Sequence, residues 1–162
     1  MSTQSDSMVR FRTKNGNEVL EETLWATSLG GNRYRLDNIP LYARNVSFQD
    51  IVLAPTTKGM PEFRKVVEKS GMRTLRAIFQ KAISEDSEEA KVINALNRFG
   101  CRTATINDNS VSINVPTSIR LEAITEFLRD SYVDWEYVDP SYRALSSKGG
   151  LKQLLASKFK WI

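Results

Sequence analysis

Between Met72 and Asp139 the hydrophobic period switches repeatedly between two and about 3.6, and few folds accept that order of switching. MRTLRAIFQ (72–80) reads as a strand. SEDSEEAKVINALNRFG (84–100) reads as a helix, because Ser84 or Ser87 precedes a run of acids that oppose the positive end of a helix dipole. Val92, Ile93, Leu96 and Phe99 follow at helical spacing, and Gly100 stands where a C-terminal cap belongs. CRTATI (101–106) and SVSINV (110–115) flank Asn107-Asp108-Asn109, which predicts a hairpin. After Pro116, SIRLEAITEFLRD (118–130) predicts a second helix capped by Ser118, with Leu121, Ile124, Phe127 and Leu128 on one face. DWEYVD (134–139) closes the series as a strand. The order β-α-β-β-α-β is that of the ferredoxin-like, or split βαβ, unit. Its two helices cover one face of a four-stranded antiparallel sheet and leave the other for the N-terminal strands, a second copy or a ligand.

The first half keeps the period of a sheet. VRFRT (9–13) alternates Val9 and Phe11 with Arg10 and Arg12, and EVLEETLWATSL (18–29) offers Val19, Leu24 and Trp25 as core candidates. Gly30-Gly31-Asn32 tolerates the positive φ of a tight turn into RYRL (33–36). An irregular segment leads to DIVLA (50–54), then to a Pro/Gly loop over 55–61 and to EFRKVVEKS (62–70), which reads as a further strand, with a short helix over FRKVVEK as the alternative. Short strands at this spacing predict a small barrel or curled sheet. The expected class is α+β, with a β-rich barrel-like subdomain over 1–71, a ferredoxin-like subdomain over 72–140 and a basic amphipathic tail over 141–162. In the tail Leu151, Leu154, Leu155 and Phe159 recur at helical spacing beside Lys148, Lys152 and Lys158. A short C-terminal helix there either packs on its own domain or offers Lys152, Lys158 and Trp161 to an acidic groove or an anionic membrane.

What the chain lacks excludes whole classes of chemistry. Among its 162 residues there is no histidine and one cysteine, Cys101. No Ser-His-Asp or Cys-His arrangement can be built, zinc sites lack ligands, and no internal disulfide can form. No apolar run is long enough to span a bilayer, and MSTQSDSM is not a secretory signal, so a cytoplasmic location is expected. The formal charge of +4 is unevenly spread: 12 Lys/Arg against 8 Asp/Glu over 1–80, 6 against 11 over 81–140, and 5 against none over 141–162. Opposite surfaces of this kind suit partners, although they also occur as ordinary solvated faces.

RYRLDNIPLYARNVSFQDIV (33–52) carries the densest set of candidates. Arg33, Tyr34, Arg35, Tyr42 and Arg44 place cations beside aromatics, as nucleic-acid binding requires. The RNA-recognition version of a ferredoxin-like sheet needs aromatics on its central strands, and CRTATI and SVSINV have none, so nucleic acid is an unlikely partner. Asp37 and Asp50 bracket the segment and are the best acid–base candidates, but turn chemistry explains both. Leu36, Ile39, Val46, Phe48 and Ile51 supply an apolar fastening. Cys101, with no histidine to activate it, reads as a small buried residue. LGGN lacks the spacing and lysine of a phosphate loop, and no cofactor or metal is expected. Arg35, Tyr42, Arg44, Asp37 and Asp50 are left as candidate residues for binding another protein.

ETLWATSLGGNRYRLDNIPLYARNVSFQDIVLA, followed by FRKVVEKSGMRTLRAIF, resembles the bacterial family known as domain of unknown function 4265. That family carries a tryptophan strand, a Gly-rich turn, RYxLDNIPFYAxxVxxGDxV, and then V-E-x-SGxxTxR. The likeness runs from about Val9 to Asp139. LDNIP, Tyr42, Ser70-Gly71, Thr74 and Arg76 match in order, and Gln49 departs from the glycine expected before the aspartate. The resemblance implies no established activity. Small bacterial proteins of this kind are often encoded beside secreted polymorphic toxins, and by analogy the resemblance implies an immunity role. The expectation is thus a non-enzymatic protein that binds another protein, with a small-molecule-binding regulatory module of ferredoxin-like type as the alternative.

Overall fold

The computed structural model describes residues 5–141. Apart from Ser141, the predicted tail, with Lys152, Lys158 and Trp161, lies outside the described residues. The architecture is α+β, mostly strand with two helices. Strands β1 (Ser7–Asn15), β2 (Glu18–Gly30), β3 (Arg33–Leu36), β4 (Ile51–Leu53) and β7 (Lys65–Glu68) form a five-stranded antiparallel sheet in the order β1-β2-β3-β4-β7. Two-residue strands β5 (Thr56–Thr57) and β6 (Met60–Pro61) make a small hairpin within the predicted loop. Just after it, Phe63 N–H donates to Arg10 O at 2.9 Å and Arg64 N–H to Leu53 O at 2.9 Å. One short segment therefore ties the β1 edge to β4, which curls the sheet into a barrel-like form.

The register of β1 on β2 fixes which side chains enter that curl. Val9 lies opposite Leu24 and Phe11 opposite Glu22. Val9, Phe11, Leu24, Ala26, Leu36 and Val52 make a dry core, onto which Phe63 stacks through Phe11. Because Leu24 and Ala26 take the inward phase of β2, the odd positions point outward. Val19 and Trp25, expected in the core, are 60% and 48% exposed.

The second sheet is antiparallel in the order β11-β8-β10-β9, built from β8 (Arg73–Ile78), β9 (Arg102–Asn107), β10 (Ser110–Val115) and β11 (Asp134–Asp139). Helices α1 (Glu88–Arg98) and α2 (Leu121–Asp130) cover one face. Ser87 caps α1 by accepting from Ala90 N–H at 3.1 Å, while Ser84 supplies a carbonyl to the Ser87 hydroxyl. Helix α2 begins later than predicted. Ile119 N–H closes a turn onto Pro116 O, which leaves Ser118 inside that turn and Arg120 at the cap with no side-chain bond. Leu75, Ala77, Val111, Ile113 and Val115 from the sheet meet Leu96, Ile124 and Leu128 from the helices. Yet all six residues of β10 are buried, including Ser110, Ser112 and Asn114. Something also covers the second face.

Candidate functional site

The cover is the irregular segment between β3 and β4, residues 37–50, which crosses the open face of the second sheet. Its entrance is pinned to β2: Asp37 N–H donates to Trp25 O at 2.8 Å, and Asn38 Oδ1 accepts from Trp25 N–H at 2.8 Å. The inward carboxylate of Glu22 then accepts the N–H groups of Leu41, Tyr42 and Ala43 at 2.9, 3.0 and 2.8 Å. Three converging backbone donors form a small anion nest, and the chain fills it with its own acid. On the sheet side, Ser112 Oγ donates to Pro40 O at 2.7 Å, Arg76 Nη2 to Leu41 O at 2.6 Å, and Asn45 N–H to Val138 O at 2.9 Å.

Past Asn45 the segment ends in a buried polar node. Asp50, wholly inaccessible, accepts from Ser47 N–H at 2.9 Å, Ser70 N–H at 2.7 Å and Lys69 Nζ at 2.6 Å. Lys69 Nζ also reaches Asp139 at 2.5 Å, and Ser47 Oγ lies 2.5 Å from Asp139 and 2.7 Å from the Thr74 hydroxyl. Strand ends from both sheets meet here, so the node fixes how one sheet sits on the other. Two buried carboxylates sharing one lysine are far more costly to separate than to keep.

The predicted site residues do not stay together. Asp50 is a correction: an acid buried and saturated by internal donors is not a surface group. Arg35 and Asp37 pair at 3.3 Å on the outer side of the first sheet, where Asp37 also accepts from the hydroxyls of Ser5 and Thr27. Tyr42 and Arg44 lie elsewhere, in a cleft of about 290 Å³ between the β1–β2 hairpin end and the open face of the second sheet. That cleft also holds Lys14, Arg76, Ile78 and Glu136, of which only Arg76 was singled out in the sequence, as a motif position. Cys101 is buried; desolvation pushes its thiol up to about 11, against a smaller opposing pull from the Arg73 guanidinium. Both the burial and the raised thiol disfavour the thiolate at neutral pH.

A broader cleft of about 610 Å³ lies on the other flank of the loop, lined by Glu22, Asp37, Asn38 and Arg102 among others. Its charges are already used: Glu22 by the nest, Asp37 by Arg35, and Arg102 over the Phe48 ring at 5.5 Å. Among the described residues no three His, Cys, Asp or Glu side chains are grouped to hold a metal ion. No helix among them is long and apolar enough to cross a membrane.

Residues 22–136 match the family described as Domain of unknown function (DUF4265). The chain belongs to this family. A crystal structure of a hypothetical protein from Neisseria gonorrhoeae shares the fold, with a TM-score of 0.68 at 17% identity over 86% of this chain and 99% of that one. No curated protein matches the chain. The positions that carry the DUF4265 resemblance can now be placed. Asn38 binds the Trp25 backbone, Ser70 Oγ donates to Phe48 O at 2.7 Å, and Thr74 and Arg76 hold the crossing segment. Gly71 has φ +90°, and a Cβ there would meet Thr117 Cγ2 at 2.6 Å. In this chain the motif builds the join between the sheets. Gln49, where the pattern has glycine, adopts φ +68°, the left-handed region that glycine enters without strain.

Proposed function

We propose that this is a non-enzymatic, cytoplasmic bacterial protein that binds another protein, in the form of an immunity protein that neutralises a polymorphic toxin. The observation that carries the proposal is the outer side of the first sheet. Trp25 and Leu29 are each 48% exposed there, Met8 lies opposite Trp25, and Arg35 lies between Thr27 and Ile51 in the register. Tryptophan and arginine on one surface are the residues that dominate interface energies. Arg33 and Lys65 flank Leu53 in the next register row, which suits a partner with an acidic surface. Against an enzyme stand the internal commitments of Asp37 and Asp50 and the raised thiol of Cys101. We further assign the second sheet and its helices to the ferredoxin-like type, on the β-α-β-β-α-β order and the strand order β11-β8-β10-β9.

The proposal requires a toxin gene beside this one, and co-expression with its product is expected to restore growth and to yield a complex that co-purifies. Trp25→Ser, at an exposed position, is expected to weaken that complex at least about tenfold, as interface tryptophans do. Failure of both rescue and complex formation with the intact chain overturns the proposal. A second reading, a small-molecule-binding regulatory module, is favoured by one observation, the cleft that holds Tyr42 and Arg44.

A further inference from the structure

We infer that this cleft is a binding site for a small carboxylic acid with an apolar body. The inference does not use the outer face of the first sheet; it rests on the small-molecule reading and gives it a ligand class. One wall is the open face of the second sheet, where Arg76 lies opposite Glu136 and Ile78 opposite Ser110. The facing wall is the β1–β2 hairpin end, where Thr13 lies opposite Leu20, next to Lys14. Tyr42 and Arg44 of the crossing segment complete it.

Charge in the cleft is unbalanced. Lys14, Arg44 and Arg76 face a single acid, Glu136. Arg76 takes that carboxylate in a close ion pair, and its other Nη atom is fixed on Leu41 O. Arg44 is held only loosely, at 3.4 Å from Glu136 and 3.5 Å from Tyr137 O, with its side chain 45% exposed. Lys14 has no ion pair, and the Tyr42 hydroxyl no hydrogen bond, among the described residues. A cation edge and a phenol left open in a concave site suit an incoming carboxylate, which a guanidinium and an ammonium bind with charge assistance.

The rest of the lining selects among anions. Leu20, Ile78 and Ile106 bring apolar surface, and Ile78 is 39% exposed although it stands on a sheet face. Inorganic phosphate gains nothing from those side chains, and the nearby backbone nest that suits phosphate already holds Glu22. A volume of about 290 Å³ lies at the small end of ligand sites, so the acid must be compact.

The test uses the full chain with isoleucine δ1-methyl labelling and three probes: 3-methylbutanoate, the neutral 3-methylbutan-1-ol, and inorganic phosphate. The acid is expected to shift the Ile78 and Ile106 methyls saturably while leaving the buried Ile113 and Ile124 unmoved. The double variant Lys14→Gln/Arg44→Gln, at exposed positions, is expected to raise Kd about fivefold to tenfold while the buried Ile113 and Ile124 methyls of the free protein keep their positions. Equal binding of the alcohol overturns the carboxylate assignment and leaves a small-molecule site. Equal binding of phosphate overturns the role of the apolar lining. No saturable shift with any probe, or an unchanged Kd in the double variant, overturns the site. None of these results bears on the toxin complex, which uses the other surface.

Discussion

Strand β10 separates two unlike interiors. On one side Val111, Ile113 and Val115 meet the two helices in an apolar core. On the other, Ser110, Ser112 and Asn114 are also buried, and Ser112 donates to a loop that has no regular structure of its own. The apolar side is held by area removed from water, which is non-directional and tolerates small adjustments of packing. The polar side is held by particular donors and acceptors, so it admits essentially one placement of the loop and hence of the first sheet. Helix burial makes the second sheet stable. The hydrogen-bonded cover makes its docking specific.

The sharpest way to break the comparison is to damage each side in turn. Ile113→Ala, with no accessible surface at the parent residue, is expected to cost about 4 kcal/mol through lost transfer energy and a cavity. Chemical denaturation should show it as a lowered midpoint with an unchanged slope. A cost no larger than that of the polar-side variant would mean that the helix side contributes no more than the loop side. On the polar side Lys69→Met removes the cation shared by Asp50 and Asp139. The expected loss is about 3 kcal/mol, at the low end for breaking a buried ion pair because the lysine side chain is 45% exposed. This loss should be accompanied by faster hydrogen exchange of the Ser47 and Ser70 amides, which the helix-side variant leaves protected until global unfolding.

Sequence made the first of these interiors visible and hid the second. Periodicity marked both helices, the 107–109 hairpin and the strands of the second sheet, because local geometry repeats side chains toward a single apolar face. It could not say what lies opposite. A strand whose alternate residues are Ser110, Ser112 and Asn114 has the same pattern whether those residues meet water or a hydrogen-bonding loop. The same ambiguity misplaced Val19 and Trp25, where β2 is apolar on both sides and only the register of β1 selects the inward phase. Asp50 was misjudged because acids are seldom buried, and its partners Lys69 and Asp139 lie 19 and 89 positions away in sequence. One signal was available: Ser70, Thr74 and Arg76 belong to the motif that carries the family resemblance, and all three bind the crossing segment. Of the candidate site, Tyr42 and Arg44 were legible. Lys14 and Glu136 were not, since only the fold brings them into the same cleft.

A gentler probe of the polar side is Ser112→Ala, which deletes the donor to Pro40 O while keeping the strand. The carbonyl is left in a buried site, and the expected cost is about 1–2 kcal/mol by thermal denaturation. Ser112→Cys keeps nearly the parent shape and volume while leaving only a weak donor. Stability returning to the parent value in that variant would show that packing, and not the hydrogen bond, holds the loop on this face.

The smallest effect is expected to be a gain. Gln49 donates its N–H to Leu36 O at 2.9 Å and has an exposed side chain, so only its backbone conformation serves the loop. At φ +68° a residue with a Cβ bears strain of about 1–2 kcal/mol, whereas glycine bears none. Glycine also raises the entropy of the unfolded chain, which takes back about 0.5–1 kcal/mol. Gln49→Gly should therefore stabilise the protein by about 0.5 kcal/mol, a rise of one or two degrees in Tm for a domain of this size. Because the substitution changes no described side-chain contact, a gain can come only from the turn that brings Asp50 under Ser47. A loss would mean instead that the loop reaches its seat on β10 without strain at Gln49.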